Sequence, residues 1–324
     1  MTDRTDRADR TDRTDRTDIR IPAELTRTQL KYNGEAGRAF IEALPGRAAD
    51  LLDRWQLRVT GPSMYGMASL VLPVRRADGT RAALKLQLLD EESEGEPVGL
   101  RAWDGAGVVH LLDHDPDTGT LLLERLDEQR HLSTLVQRGD AREATRILAG
   151  LLARLTAVQA PPGLRHLGDI ARDMLDDVPG ALGSPLVDAP ARQTLLACAS
   201  AVRDVVGEPG DRLLHWDLHF DNILAADREP WLAIDPKPLA GDPGFDLMPA
   251  LFNELADSAD GFDTAEVLYR FDLLTETLSL DRSRAASWTM GRALQNLLWN
   301  VEDEEDELDA DQLAIAELLR EKYL

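Results

Sequence analysis

The sequence predicts an α+β fold of two lobes, an N-terminal lobe built on an antiparallel sheet and a mostly helical C-terminal lobe. Short apolar runs separated by turn residues, which are typical of strands, recur from Gln56 to Leu126. From Leu132 to Val206 apolar residues instead recur with the period of a helix. A chain of 324 residues is long enough to bury two separate cores.

The beginning of the chain is a repeat rather than part of a core. Residues 1–18 consist, after the initial methionine, of Thr-Asp-Arg triplets, one of them with alanine, and contain no large apolar residue. A disordered tail without a catalytic role is expected there. We assign the lobes to residues 19–126 and 127–324. Helical spacing of apolar residues over Gly37–Trp55 predicts two short helices, broken near Pro45 and packed outside the first lobe.

Composition and charge restrict the partners. Hydrophobic residues make up 43% of the chain, but no apolar run approaches the length of a membrane span, and the N-terminus lacks the apolar core of a signal peptide. We therefore expect a cytoplasmic protein with no membrane partner. The net charge of -23 repels phosphate backbones, which excludes nucleic acid and favours a cationic small molecule, unless it serves only solubility. The single cysteine, Cys198, excludes an internal disulfide and is expected in the core.

Three strands are predicted in the first lobe: Gln56–Thr60, Leu70–Val74 and Ala82–Leu86. The loop between the first two reads GPSMYGMAS and contains Ser63. Its backbone N–H groups could close over the phosphates of a nucleotide, because they need no side chain to approach them. An ordinary hairpin loop is the alternative.

A lysine in the middle of the third strand indicates a binding function. The chain has four lysines against 32 arginines, yet Lys85 lies within the apolar run Ala82–Leu86. A half-buried ammonium group is costly unless a phosphate or carboxylate compensates it. Glu96 begins a predicted helix and is our preferred carboxylate partner, with Glu94 as the alternative.

A second hairpin is predicted from Val108–Leu112 and Thr120–Leu123. The run of strands ends after it, in the segment that contains Glu124 and Leu126. A connector of this kind can offer backbone N–H and C=O groups to the edge of an adenine ring.

In the second lobe we expect strands only in one central hairpin, formed by Ile223–Leu224 and Trp231–Ile234. Asp217 and Asn222 precede its first strand, and Asp235 follows its second. A hairpin folds its two ends together, so two carboxylates and an amide should surround one small space. Helices are predicted elsewhere, notably over 141–158 and 191–206.

These side chains suit phosphoryl transfer. One carboxylate can orient and deprotonate a hydroxyl group, while amide and carboxylate oxygens can hold Mg²⁺ on nucleotide phosphates. His215, Asp217 and Asn222 also have the spacing of a kinase catalytic loop. A polar surface loop is the alternative, but Asp235 supplies the further metal ligand that this alternative does not explain.

Other polar residues are expected to be structural. Asp246 precedes an apolar run, where it could cap a helix and tie that helix to the catalytic loop; a helix cap without a chemical role is the favoured interpretation. His219 is expected to hold the shape of the loop around it. Four further histidines show no metal-binding spacing: His110, His114, His131 and His166.

Taken together, the motifs resemble the aminoglycoside phosphotransferase group of the protein-kinase-like fold, in particular its streptomycin 6-phosphotransferase and hydroxyurea phosphotransferase branch. The resemblance covers roughly residues 40–300. It rests on the segments LKL, WDGAGVVHLLDHD, LLLERL, HWDLHFDNIL and AIDPKPLAGDPGFDL. The chain departs from many relatives at Trp216 and Pro238, where glycine is common, and in its glycine-poor loop at 61–69.

The resemblance implies ATP-dependent, Mg²⁺-assisted transfer of the γ-phosphoryl group to a hydroxyl group of a small molecule. It implies that Asp217 is the general base and that Asn222 and Asp235 bind the metal ion. It further implies that Lys85, paired with Glu96, contacts the α- and β-phosphates. Ser63, Glu124 and Leu126 complete the expected nucleotide contacts.

A streptomycin-type aminoglycoside is the leading acceptor from the sequence. Hydroxyurea or a sugar or amino-alcohol metabolite is the alternative, and a nucleotide-binding pseudokinase is the alternative of another class. The acidic run Glu302–Glu307 follows Trp299 closely, and its first members could attract a polycationic acceptor.

Overall fold

The computed structural model describes residues 19–255 and 263–324. The predicted tail over 1–18 lies outside the described residues. The chain divides into two compact units, each with its own internal contacts. The first comprises the residues up to Pro97 and His110–Arg125, and the second comprises Val98–Val109 and Leu126–Leu324.

In the first unit one long helix is followed by strands, and helices dominate the second unit. The helices of the described residues are α1 Ala23–Arg54, α2 Glu96–Trp103, α3 Ser133–Gln137, α4 Ala141–Thr156, α5 Leu167–Ala181, α6 Ala189–Val205, α7 Met248–Phe252, α8 Thr264–Thr277, α9 Arg282–Glu302 and α10 Ala310–Tyr323. The strands are β1 Arg58–Val59, β2 Met64–Tyr65, β3 Ser69–Arg75, β4 Arg81–Gln87, β5 Leu111–Asp115, β6 Thr120–Glu124, β7 Asp127–His131, β8 Arg165–His166, β9 Arg212–Leu214, β10 Ile223–Ala225, β11 Trp231–Ala233 and β12 Leu239–Gly241.

The first unit is built on an antiparallel sheet, as the sequence predicts. Its strand order is β1-β3-β4-β6-β5, with β2 paired to β3. The last predicted hairpin is shifted, because its first strand begins at Leu111 rather than at Val108. Val108 and Val109 belong to the second unit, where the Val109 N–H group donates to the Ala233 carbonyl at 2.9 Å. The apolar run at 108–112 is therefore divided between the units: its first residues contact the central hairpin of the second unit, and its last residues begin β5 of the first.

Helix α1 covers the sheet of the first unit, but its break is not where the sequence predicts it. Pro45 lies inside the helix, and the non-helical residue is Gly34, with φ 48° and ψ -119°. A Cβ atom at Gly37 would lie 2.1 Å from the Gln29 carbonyl oxygen, so the turn also requires glycine there. The predicted break near Pro45 is thus wrong, since a left-handed residue redirects the chain where only glycine is unstrained. Leu44 and Leu51 pack with the buried residues of the sheet, as expected.

The second unit is mainly helical, and α4 and α6 match the helices predicted over 141–158 and 191–206. The central hairpin is confirmed, with Ile223 opposite Ala233 and Ala225 opposite Trp231. The prediction that strands occur only there is wrong, because β7 joins this hairpin and β8, β12 and β9 form a further small sheet. The strands of that further sheet have two or three residues each, which is too short for a periodic pattern to reveal them.

The antiparallel sheet unit followed by a helical unit confirms the predicted fold class. Cys198 is fully buried, as predicted, and burial raises the pKa of its thiol to about 12. Within residues 19–255 and 263–324, none of the helices combines the length and the apolar character needed to cross a bilayer.

Candidate active site

Asp217, Asn222 and Asp235 are brought together by the central hairpin. The amide nitrogen of Asn222 donates to the Asp217 carbonyl at 2.9 Å and lies 3.4 Å from the Asp217 Oδ2 atom. The backbone N–H of Ile234 donates to the Asn222 carbonyl at 2.9 Å, so the next residue, Asp235, follows directly beside this loop. The local spacing in the sequence thus places both carboxylates and the amide at one end of the hairpin.

His215 orients the backbone between these groups. It is fully buried, and burial lowers the pKa of its imidazole to about 4, so the ring is neutral at pH 7. Its Nε2 atom lies 3.1 Å from the Ile234 carbonyl, which can only accept, and its Nδ1 atom lies 3.3 Å from the Asp217 N–H group, which can only donate. Nε2 therefore carries the proton, and the ring links the segments that carry Asp217 and Asp235.

Asp246 holds the same loop, although it lies 30 residues after Trp216 in the sequence. Its fully buried carboxylate accepts the N–H group of His215 at 2.8 Å and that of Trp216. The favoured prediction of a helix cap is wrong, because the N-cap residue of α7 is Leu247, whereas the predicted link to the catalytic loop is confirmed. Burial raises the pKa of Asp246 to about 7, although both backbone bonds oppose this rise.

Trp216 adopts a left-handed conformation, with φ 68°. A bulky residue is strained in that region. The Asp246 carboxylate holds its N–H group, and the guanidinium groups of Arg165 and Arg292 lie 4.4 Å and 4.9 Å from the centre of its ring system. These contacts explain how tryptophan is accommodated beside Asp217.

Asn253 and Arg270 also support the loop, and neither was predicted from the sequence. Asn253 accepts the Phe220 N–H group at 3.1 Å and donates to the Asp221 carboxylate at 3.1 Å, which fixes the short turn that ends at Asn222. The buried Arg270 side chain donates to the Asn253 carbonyl at 2.7 Å and lies over the Phe220 ring. Both act from segments distant in sequence, so no local motif could reveal them.

Three histidines outside the hairpin make hydrogen bonds that indicate a structural role. His219 accepts the Asp221 N–H group at 3.3 Å, which confirms that it holds the shape of the loop. His131 contacts the Asp221 carbonyl at 2.9 Å, and His166 accepts the N–H group of Gly168 at the start of α5. Within the described residues, no group of three or more histidine, cysteine and acidic side chains is arranged to bind a metal ion.

Asn222 and Asp235 nevertheless suit a magnesium ion. The Asn222 amide is oriented by donating its nitrogen to Asp217, which leaves its oxygen without a hydrogen bond from any residue that the structure describes. Mg²⁺ is commonly held by one or two carboxylates together with substrate phosphates, rather than by a cage of protein ligands. An amide oxygen and one carboxylate therefore form an adequate protein contribution.

In the first unit, the structure pairs Lys85 with Glu96 rather than with Glu94. The Lys85 ammonium lies 2.7 Å from both carboxylate oxygens of Glu96, and Gln87 donates to the same carboxylate at 3.0 Å. Lys85 is 5% exposed and Glu96 is 1% exposed, so the pair is buried. A buried lysine held by a carboxylate is fixed in position for an anionic ligand.

Lys85→Met should lower the free energy of unfolding by about 3–5 kcal/mol, because it leaves the Glu96 carboxylate buried without its cation. The double variant Lys85→Met/Glu96→Gln should be clearly more stable than Lys85→Met, since it removes the uncompensated charge. Urea denaturation followed by circular dichroism measures both values. A double variant no more stable than Lys85→Met would contradict this assignment.

The remaining predicted nucleotide contacts occupy defined positions. The Ser63 hydroxyl donates to the Arg20 carbonyl, at the edge of a cavity of about 690 Å³. The Glu124 N–H group donates to the His110 carbonyl at 2.9 Å, so only other groups of this residue can reach a nucleotide. Leu126 is buried at the start of the second unit's main segment.

The sequence and structure match known proteins over most of the chain. A family model described as aminoglycoside/hydroxyurea antibiotic resistance kinase matches residues 54–304. The chain belongs to this family. It is therefore a small-molecule kinase, and kinase activity implies the use of ATP. The match confirms the family resemblance predicted from the sequence. It gives no support to the alternative of a nucleotide-binding pseudokinase.

Two relatives and one solved structure illustrate the match. The chain is 62% identical over 301 residues to a hydroxyurea phosphotransferase from Kitasatospora aureofaciens, covering 93% of this chain and 86% of the relative. It is 56% identical over 303 residues to a streptomycin 6-kinase from Streptomyces glaucescens, covering 93% and 97%. A choline/ethanolamine kinase family protein from Mesorhizobium loti shares the fold, with a TM-score of 0.56 at 17% identity over 81% of this chain and 86% of that chain.

Proposed function

We propose that this kinase transfers the γ-phosphoryl group of ATP to a hydroxyl group of a streptomycin-type aminoglycoside. The observation that carries the proposal is the joint placement of Asp217, Asn222 and Asp235 at the end of one hairpin. Family membership supports the reaction class, and the similarity to a streptomycin 6-kinase supports the acceptor.

Each group has a distinct role in this proposal. Asp217 accepts the proton of the acceptor hydroxyl, and its position is fixed by Asn222 and His215. Asn222 and Asp235 would hold Mg²⁺, which neutralises charge on the phosphates when it is bound. Lys85, held by Glu96, would contact the α- and β-phosphates. Ser63 and the backbone near Glu124 and Leu126 would complete nucleotide binding.

The end of helix α9 supports a cationic acceptor. The Trp299 ring packs against the Trp216 ring with 6.0 Å between centroids, and α9 ends three residues later at Glu302. The acidic run therefore begins close to the residue that precedes Asp217. Asp309, which follows the acidic run, is not available to a ligand because it caps α10 by accepting the Asp311 and Gln312 N–H groups. Exposed acids attract a polycation weakly, by about 0.2–1 kcal/mol per pair.

Hydroxyurea is the second candidate acceptor, because the hydroxyurea phosphotransferase is the more similar of the two relatives, at 62% against 56% identity. Hydroxyurea is small and neutral, so it would draw no benefit from the acidic run. The two acceptors therefore differ in charge, and only the cationic one would be attracted by the acidic run.

A direct comparison of acceptors tests the proposal. Initial rates of ADP release should be measured with streptomycin, hydroxyurea and an amino sugar, with phosphorylated products identified by mass spectrometry. We expect kcat/KM for streptomycin to exceed that for hydroxyurea by at least about tenfold, which corresponds to about 1.4 kcal/mol. A higher kcat/KM for hydroxyurea would replace the first candidate by the second.

A further inference from the structure

Lys237 lies beside the candidate base, although it belongs neither to the catalytic-loop pattern His215, Asp217 and Asn222 nor to the predicted metal ligands. Its Nζ atom is 3.5 Å from the Asp217 Oδ2 atom, and its side chain is 36% exposed. Its backbone N–H group donates to the His215 carbonyl at 3.0 Å. Asp235, two residues earlier, has a φ of 56°, and prolines precede and follow Lys237. The backbone that carries this ammonium group is thus fixed to the catalytic loop.

The use of lysine at this position is itself informative. The chain has four lysines against 32 arginines. Lys31 and Lys322 are exposed on helices α1 and α10, whereas Lys85 contacts the Glu96 carboxylate and Lys237 contacts the Asp217 carboxylate. Lysine presents a compact point charge, while arginine presents a broad planar fork. A compact charge suits a narrow space beside a reacting group.

Lys237 places a cation next to the candidate base. During phosphoryl transfer, negative charge is spread over the equatorial oxygens of the moving group. A fixed ammonium group that meets this charge stabilises the transition state more than the ground state.

The oxygens of Asp217 are divided in a way that fits this role. Both Lys237 and the Asn222 amide approach Oδ2, at 3.5 Å and 3.4 Å. Oδ1 receives no hydrogen bond from the residues that the structure describes, which leaves it for the acceptor hydroxyl. Because both oxygens belong to one carboxylate, the ammonium group also lies next to the position where the acceptor hydroxyl would be deprotonated.

We propose that Lys237 is a catalytic residue that contacts the γ-phosphoryl group as it passes from ATP to the acceptor. This inference rests on the proposed function. In the step, the acceptor oxygen forms a bond to the γ-phosphorus, and the bond from that phosphorus to the β,γ-bridging oxygen breaks. The electron pair of the broken bond remains on ADP, and the hydroxyl proton moves to Asp217. Lys237 keeps its own protons and stabilises the charge on the equatorial oxygens.

Lys237→Met removes the charge and keeps a similar length of side chain. We expect kcat to fall about 10²-fold, the effect of losing one preorganised donor, while the KM for ATP and the melting temperature change little. Lys31→Met is the matched control, since it replaces an exposed lysine outside the site. A kcat for Lys237→Met within about threefold of the parent would overturn the proposal, because a stabilising group is worth far more.

Chemical rescue separates charge from packing. In Lys237→Cys, alkylation with bromoethylamine restores an ammonium group of nearly the original length, whereas iodoacetamide adds a neutral group. Cys198 is fully buried with a raised thiol pKa, so the reagents should modify position 237 selectively. Recovery of kcat by the aminoethyl form alone supports the proposal. Equal recovery by both forms would overturn it, because side-chain volume and not charge would then be sufficient.

A binding measurement decides the role of Lys237 without any acceptor. ADP with aluminium fluoride and Mg²⁺ mimics the moving phosphoryl group, and calorimetry compares its affinity with that of ADP and Mg²⁺ alone. We expect Lys237→Met to lose the gain in affinity that aluminium fluoride gives the parent, and to bind ADP normally. Retention of the full gain would overturn the assignment. Failure of the parent to phosphorylate any tested acceptor would instead count against the proposed function.

Discussion

Replacing Asp217 by asparagine is expected to lower kcat by about 10²–10⁴-fold, because the variant loses the group that accepts the hydroxyl proton. Asparagine has nearly the same shape, so the loop held by Asn222, His215 and Asp246 should keep its conformation. The dissociation constant for MgATP should therefore change little. Steady-state rates with the preferred acceptor and calorimetric titration with a non-hydrolysable ATP analogue measure the two quantities.

Asp227→Asn is a suitable control for this experiment. Asp227 is an exposed acid in the turn between β10 and β11, on the same hairpin, and contacts no group of the candidate site. Its variant should have the kcat of the parent. Near-normal turnover by Asp217→Asn would show that another group takes the proton, and parallel losses in both variants would indicate a disturbed hairpin.

Asp235→Ala is expected to weaken the binding of MgATP by about 10²-fold or more, while the binding of ATP in the presence of a chelator changes little. Even residues that only orient a metal ligand typically contribute about 10–100-fold to metal affinity, so the loss of a ligand itself should reach at least this range. The left-handed backbone of Asp235, with φ 56°, fixes the direction of its side chain at the end of the hairpin. Calorimetry with and without Mg²⁺ measures the difference.

The control for the second experiment keeps the ligand type but removes its charge. Asp235→Asn retains an oxygen donor and should bind MgATP with an affinity between those of the parent and Asp235→Ala. Equal losses of affinity with and without Mg²⁺ would show that Asp235 contacts the nucleotide or supports the loop, and does not hold the metal ion.

The sequence by itself determined the parts of this protein that depend on short separations. Asp217, Asn222 and Asp235 flank the strands of one hairpin, whose two short apolar runs are separated by a polar turn. Here the residue spacing leaves few possible geometries, so the pattern is sufficient. For Lys85 the sequence predicted a carboxylate partner and favoured Glu96, but it left Glu94 as an alternative that the structure excluded.

Only the tertiary structure decided the parts that depend on contacts between distant segments. Asn253 and Arg292 reach the catalytic loop from the end of α7 and from α9, and the patterns of these helices are satisfied by helix formation, so nothing local reveals their second role. The break at Gly34 in place of Pro45 depends in the same way on how closely Gly37 must approach an earlier carbonyl. The periodicity of apolar residues indicates which face of a helix or strand is buried. The packing of the whole unit determines which other element lies against that face.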